Sequence, residues 1–125
     1  MLLDTCALLW LAGEHSRLSS SALQQIDSEP IVSVSAISAF EIAVKTAKGK
    51  LGLPLPVEEW WEKTVLHHHL DVIQVSDDIL IRSVSLPQIH SDPADRIIIA
   101  TALLHNLPVV TADSRFTDYG VRVVL

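Results

Sequence analysis

Short runs of β-branched residues alternate with helical stretches along this chain, and this alternation is the feature that most constrains its fold. Strands are predicted at residues 2–3, 31–34, 72–75, 109–111 and 121–124, with helical segments between them. Helices that separate successive strands are typical of parallel crossover connections. The sequence therefore predicts an α/β fold with a mostly parallel central sheet.

The helix that begins at Pro93 and ends near His105 carries apolar residues all round its axis, which indicates that most of it is buried. Its first turn nevertheless contains Asp95 and Arg96, and Asp92 precedes it. Charged side chains at the start of a buried helix need a partner or a function. This segment is therefore the first candidate for a functional site.

Length and composition exclude several classes of protein. A chain of 125 residues fits a single domain spanning residues 1–125, and 49% hydrophobic residues exclude a disordered chain. No apolar stretch approaches the ~20 residues of a membrane span, and the start of the chain lacks the basic and apolar regions of a signal peptide. A lone cysteine, Cys6, forms no intrachain disulfide, so we expect a cytoplasmic protein with no membrane association.

The charge balance limits the kind of nucleic-acid binding that is plausible. Nine Lys and Arg residues against fifteen Asp and Glu residues give a net charge of −6. A protein that coats nucleic acid through its phosphates is usually basic, which this chain is not. A metal-dependent nuclease remains compatible, because a cation bound to acidic ligands reverses the charge of its site.

At least three of four acidic residues are predicted to meet at one edge of the sheet, and the placement of Asp95 there is a further assumption. Asp4 follows the first strand, Asp113 follows the fourth, and Glu41 and Asp95 are predicted in the first turns of helices. The carboxyl ends of parallel strands emerge at a common edge, where ligands bind. Two carboxylates ~4 Å apart repel by about 4 kcal/mol at an effective dielectric constant of ~20. Such a cluster favours a hard cation, Mg²⁺ or Mn²⁺, and metal-assisted phosphodiester hydrolysis.

Each acid also has a purely structural interpretation. Ser38 and Glu41 have the spacing of a capping box, and Asp92, Pro93 and Asp95 that of a helix N-terminus. Asp4 could cap the first helix, and Asp113 could belong to a turn. Only their joint placement at one edge favours a function.

Several segments resemble those of PIN-domain nucleases, and the resemblance covers nearly the whole chain. They are Leu2-Leu3-Asp4-Thr5, the stretch from Ser35 to Lys45 with Lys48-Gly49-Lys50-Leu51, the stretch from His90 to Ala102, and Val109-Val110-Thr111-Ala112-Asp113. The chain is most similar to VapC toxins of bacterial toxin–antitoxin pairs. The resemblance implies a three-layer α/β/α fold and a Mg²⁺- or Mn²⁺-dependent ribonuclease. It also implies an RNA substrate, a cognate antitoxin protein and a homodimer.

The resemblance assigns the catalytic and metal-binding roles to Asp4, Glu41, Asp95 and Asp113. Within that assignment Thr111 would orient Asp113 through its hydroxyl, and Asp92 would cap its helix. The basic residues that could contact RNA phosphates are Lys45, Lys48, Lys50 and Arg96. For Lys45 the alternative is a routine ion pair with Glu41, four residues earlier on the same helix.

Other residues receive structural interpretations. Cys6 is expected to be a small core residue. The run from His67 to His69 lacks the spacing of a helical zinc pair, because successive helical residues point ~100° apart. His90 lies in the loop before Asp92, where a histidine either is solvated or helps to position the site.

Some positions depart from the family pattern, and two other functions stay open. Relatives often have histidine where Cys6 stands, an aromatic residue at the position of Ala94 and an acid at that of Arg115. One alternative is a PIN-like module that binds proteins without catalysis. The other is a receiver-like regulatory domain that binds Mg²⁺, although no predicted strand ends in the lysine that such a domain requires.

Overall fold

The computed structural model describes residues 1–125, and its five strands form one sheet in which every neighbouring pair is parallel. The strands are β1 (Leu2–Leu3), β2 (Ser33–Ser35), β3 (Asp71–Ile73), β4 (Val109–Val110) and β5 (Val123–Val124). Their order across the sheet is β3-β2-β1-β4-β5. The predicted parallel α/β fold is confirmed, and β1 lies at its centre.

Six α-helices connect and cover the strands. They are α1 (Thr5–Gly13), α2 (Ser20–Ser28), α3 (Ala36–Ala47), α4 (Val57–His67), α5 (Asp77–Ser85) and α6 (Pro93–His105). The sequence predicts the start and end of α6 correctly, with Asp92 as its N-cap and Asn106 in the left-handed conformation at its end. No helix is both long and apolar enough to cross a membrane.

The two faces of the sheet are covered by different helices, which gives three layers. Successive residues of a strand point to opposite faces, so Leu3 joins the core formed with α1, α2 and α4, while Leu2 joins the core formed with α5 and α6. The side chains of Ile98 and Ile99 are fully buried in that second core. The apolar character of α6 is thus explained by its position between the sheet and α5.

Strand boundaries differ from the prediction by one or two residues. The pairing of Leu2 with Ser33 and of Leu3 with Val34 sets where β2 lies, and Ile31, which was expected in that strand, is 61% exposed. Likewise β3 ends at Ile73, and only the last two residues of the predicted fifth strand pair with β4. Because the central strand β1 has only two residues, it limits how many residues of β2 and β4 can pair with it. The local composition of these strands gives no sign of that limit.

The predicted capping box at Ser38 and Glu41 is wrong. Helix α3 begins at Ala36, because the side chain of Ser35 caps it by accepting a hydrogen bond from the Ile37 N–H at 3.1 Å. Ser38 is instead buried inside the helix, with its hydroxyl oxygen 2.8 Å from that of Thr5. Glu41 therefore lies in the second turn of α3 and is free of any capping role.

Candidate metal centre

The four predicted acids line one cavity of about 300 Å³ at the carboxyl edge of the sheet: Asp4, Glu41, Asp95 and Asp113. The remaining lining residues are Thr5, Cys6, Trp10, Lys45, Asp92 and Ala112. The topology explains the convergence, since β1 and β4 are neighbours and both end at this edge. The expected meeting of the four acids is therefore present in the structure.

Asp4 is the most buried of the four acids. It follows the central strand, and its Oδ1 accepts a hydrogen bond of 2.7 Å from the Ala7 N–H, which caps α1. Burial raises the pKa of Asp4, and the negative charges of Glu41 and Asp113 raise it further, against the lowering effect of contacts with Thr111 and Ala7. The Asp4 side chain thus both caps α1 and belongs to the acidic cluster.

Asp95 is partly buried and lies close to other carboxylates. It lies in the first turn of α6, beside Asp92, whose Oδ1 accepts hydrogen bonds from the N–H groups of Ala94 and Asp95 at 2.8 and 3.3 Å. Burial, followed by the negative charge of Asp92, raises the pKa of Asp95 to about 7. Asp92 is the predicted helix cap, and a cation in the cavity would relieve the charge on Asp95.

Asp113 is held by Arg115 in the turn after β4. The guanidinium of Arg115 contacts Oδ1 at 3.0 Å and Oδ2 at 2.8 Å. These hydrogen bonds lower the pKa of Asp113 to about 2, against a raising effect of burial. Thr111 acts on the same residue, because its hydroxyl oxygen accepts the Asp113 backbone N–H at 3.0 Å. Thr111 thus positions the Asp113 backbone, not its carboxylate.

Glu41 has one satisfied and one unsatisfied carboxylate oxygen. Its Oε2 lies 3.2 Å from the Lys45 Nζ, which is the ordinary i,i+4 ion pair considered above. Its Oε1 is buried and has no hydrogen-bond partner. A buried polar atom without a partner costs about 1–3 kcal/mol, so one is uncommon in a folded protein unless something else contacts it.

His90, for which the sequence allows either a solvated or a positioning role, contacts two of the acids. Its side chain is 3% exposed, and its Nε2 lies 2.9 Å from Asp113 Oδ2 and 3.1 Å from Asp95 Oδ2. Ligand atoms of these three residues all lie within 4.8 Å of one another. The one sequence signal for a role of His90 is its position two residues before the N-cap of a buried helix. Its contact with Asp113 leaves no local signal, because the two residues are 23 positions apart in the chain.

The prediction that Arg96 contacts RNA phosphate is wrong. Arg96 is buried, and its guanidinium donates hydrogen bonds to several backbone carbonyl oxygens, including those of Ser83 and Leu86 at 2.8 Å. It therefore holds together the segment between α5 and α6. Lys45 lines the cavity, whereas Lys48 and Lys50 are exposed beyond the end of α3 and do not line it.

Two further residues differ in their surroundings from what the sequence suggests. Cys6 is exposed and lines the acidic cavity, so its interpretation as a core residue is wrong. The surrounding cavity partly shields the sulfur from water, which raises the pKa of its thiol, and the negative charge of Asp4 adds to this. The side chain of Cys6 points away from the core because Ala7 and Leu8 occupy the buried face of α1.

The residues of the cavity fit a divalent cation. The donor set consists of carboxylate oxygens, which hard cations prefer. The Glu41 Oε1 lacks a partner, and Asp95 is held at a pKa of about 7 by burial and surrounding negative charge. Both features describe a site with excess negative charge that a bound cation would neutralise.

Comparison with known proteins agrees with this geometry. The PIN domain family profile matches residues 1–121. Ribonuclease VapC22 of Mycobacterium tuberculosis is 34% identical over 120 residues, which are 95% of this chain and 91% of that protein.

Solved structures share the fold over almost the full length of the chain. A toxin–antitoxin complex from Klebsiella pneumoniae contains a chain that is 28% identical, with a TM-score of 0.66 over 99% of this chain and 95% of that one. A DNA-bound VapBC from Salmonella typhimurium gives a TM-score of 0.71 at 17% identity, over 98% and 95% of the two chains. The family profile and the relative at 34% identity show that this chain belongs to the PIN domain family.

Proposed function

We propose that this protein is a divalent-metal-dependent ribonuclease and the toxin of a toxin–antitoxin pair. The observation that carries the proposal is the cavity lined by Asp4, Glu41, Asp95 and Asp113. The similarity of the chain to Ribonuclease VapC22 supports RNA as the substrate class. Its similarity to a chain in a toxin–antitoxin complex supports the cellular role of a toxin. The receiver-like alternative lacks support, because no strand is followed by lysine and the chain belongs to another family.

The chemistry follows from the positions of the acids. Asp4, Asp95 and Asp113 would hold Mg²⁺ or Mn²⁺, and Glu41 would complete the ligand set or orient the attacking water through its unpartnered Oε1. When bound there, the ion would neutralise charge on the phosphate and lower the pKa of the attacking water. Hydrolysis would form a bond between the water oxygen and phosphorus and break the bond from phosphorus to one ribose oxygen, which takes up the proton that the water loses.

Basic side chains near the cavity would bind the RNA. Lys45 faces the acids and would contact a phosphate at the cost of its ion pair with Glu41. Lys48 and Lys50 would extend this contact along the surface beyond α3. Because the protein acts on cellular RNA, we place its action in the cytoplasm.

RNA cleavage by purified variants tests the proposal. Asp4→Asn keeps an N-cap for α1, since asparagine caps helices as well as aspartate does, but it removes a negative charge from the cavity. We expect this variant and Asp95→Asn to lose cleavage in Mg²⁺ or Mn²⁺ while keeping the circular dichroism of the wild type. Asp118→Asn, at an exposed position outside the cavity, is the matched control and should cleave normally.

Two outcomes would contradict the proposal. Cleavage by Asp4→Asn at the wild-type rate would remove the catalytic role of the acids. No Mg²⁺ or Mn²⁺ binding by the wild type in calorimetry would favour the alternative of a PIN-like protein-binding module. In cells, induction of the wild type should stop growth, and co-expression of a cognate antitoxin should restore growth.

The proposed homodimer has a candidate surface on α5. Ile81 and Val84 are 70% and 77% exposed, and Leu80 lies beside them on the same helix. Apolar side chains clustered on an exposed helix are typical of protein interfaces. Light scattering should find a dimer for the wild type and a monomer for Val84→Glu, whereas Leu66→Glu on α4, also at an exposed apolar residue, should stay dimeric.

A further inference from the structure

The only imidazole in contact with the acidic cluster is that of His90, and the fold determines which of its nitrogens carries hydrogen. The backbone N–H of Asp92 donates to Nδ1 at 3.1 Å, so Nδ1 is an acceptor. The hydrogen of the neutral ring is then on Nε2, which faces Asp113 Oδ2 at 2.9 Å and Asp95 Oδ2 at 3.1 Å. One N–H group thus lies between two carboxylates.

We propose that His90 is a positioning residue, whose Nε2–H holds the carboxylates of Asp95 and Asp113 in a fixed mutual orientation for a shared divalent ion. The inference rests on the proposed metal-dependent function and deepens it. Because Nε2 carries hydrogen, it offers no lone pair to the ion, and His90 acts through the two acids. Two carboxylates that share a donor are kept close together despite their repulsion.

The chain around His90 is built to keep the ring in place. The Tyr119 hydroxyl accepts the His90 N–H at 2.7 Å and donates to the Pro87 carbonyl at 2.8 Å. The buried Arg96 guanidinium donates to the carbonyl oxygens of Pro87 and His90 at 2.9 and 3.1 Å. The ring edge also packs on Phe116, with centroids 6.1 Å apart. Hydrogen bonds thus hold the backbone of His90, and the contact with Phe116 holds its ring.

Groups that hydrogen-bond to metal ligands orient those ligands, and their removal commonly weakens metal binding 10–100-fold. The two nitrogens of His90 can be tested separately. His90→Gln places an amide N–H near the position of Nε2 and keeps a donor to the acids. His90→Asn keeps an acceptor near Nδ1 for the Asp92 N–H but is too short to reach the acids.

The experiment measures Mn²⁺ binding to the metal-free proteins by calorimetry, together with urea unfolding in EDTA. We expect His90→Asn to weaken Mn²⁺ binding about 10–100-fold, and His90→Gln to stay within a few fold of the wild type. Equal loss of affinity in both variants would indicate direct ligation by the ring and overturn the inference. Unchanged affinity in His90→Asn would also overturn it.

The unfolding measurement separates positioning from a general structural role. If the loss of Mn²⁺ affinity parallels the loss in the free energy of unfolding in both His90→Asn and His90→Gln, the inference is wrong. If His90→Asn does not fold, Tyr119→Phe is the second test: it keeps the ring but releases the His90 N–H, so Mn²⁺ binding should weaken a few fold, and no change overturns the inference. Wild-type protein that binds no Mn²⁺ refutes the proposed function itself, whereas a normal wild type with an unaffected His90→Asn refutes only the role of His90.

Discussion

The acidic cluster should destabilise the metal-free protein, and Asp95→Asn should therefore stabilise it. The pKa of Asp95 is raised from 3.8 to about 7, mainly by burial and then by Asp92. A difference of ~3 units at 1.36 kcal/mol each gives a penalty of about 4 kcal/mol for ionised Asp95 above pH 7. Since asparagine loses the charged contact with His90, we expect a net gain of roughly 1–2 kcal/mol in the free energy of unfolding.

The sign of the pH dependence follows from the same shift. A carboxyl whose pKa is higher in the folded state contributes most to stability below its unfolded pKa, and that contribution is lost as the pH rises through about 7. The stability advantage of Asp95→Asn over the wild type should thus be larger at pH 8 than at pH 5.

Urea unfolding in EDTA at these two pH values measures the effect, with Asp118→Asn as the control for removal of an exposed charge. Added Mg²⁺ should stabilise the wild type and the control, because a ligand that binds only the folded state raises its stability. It should have little effect on Asp95→Asn. An Asp95→Asn protein that is no more stable than the wild type at pH 8, or whose gain is equal at both pH values, would refute this reasoning.

Three further outcomes follow from contacts described above. Divalent-metal affinity measured by calorimetry should fall as the pH drops below about 7, because protons compete for Asp95; an affinity independent of pH would contradict this. Arg96→Lys should lower the free energy of unfolding by roughly 2–3 kcal/mol, because lysine cannot reach carbonyl oxygens on both sides of the loop; unchanged urea unfolding would show that those hydrogen bonds contribute little. Asp92→Ala should be about 1 kcal/mol less stable than Asp92→Asn in the same assay, because both variants remove the charge that acts on Asp95 but only alanine loses the N-cap.

Local signals in the sequence predict the elements whose boundaries are set locally. Helix α6 is an example, since Asp92, Pro93 and Asn106 determine its ends through contacts within a few residues. The meeting of Asp4, Glu41 and Asp113 is also predictable, because it depends on parallel strands with a common edge. The place of Asp95 does not follow from this rule, since α6 comes after α5 and not after a strand.

Features that depend on distant contacts could not be predicted from the sequence. Arg96 has the charge of a phosphate-binding residue, but carbonyl groups from the end of α5 and the following loop surround it. The spacing of Ser38 and Glu41 predicts that Ser38 is a helix N-cap, but the Ser38 hydroxyl instead forms a hydrogen bond with Thr5, 33 residues away. The role of His90 depends on Asp113 and Tyr119, which lie beyond β4 in the chain. Periodicity and spacing carry no information about such pairs.

The cap formed by Asp4 has a consequence for how many oxygens the cluster can offer. Its Oδ1 accepts the Ala7 N–H, so this oxygen has one lone pair fewer for a cation. Asp113 is similarly engaged by Arg115, and one oxygen of Glu41 by Lys45. These hydrogen bonds leave fewer lone pairs on the four acids for the proposed ion. Coordination positions of that ion would then be left to solvent and to an incoming phosphate, which is the condition that distinguishes a reactive metal centre from a purely structural one.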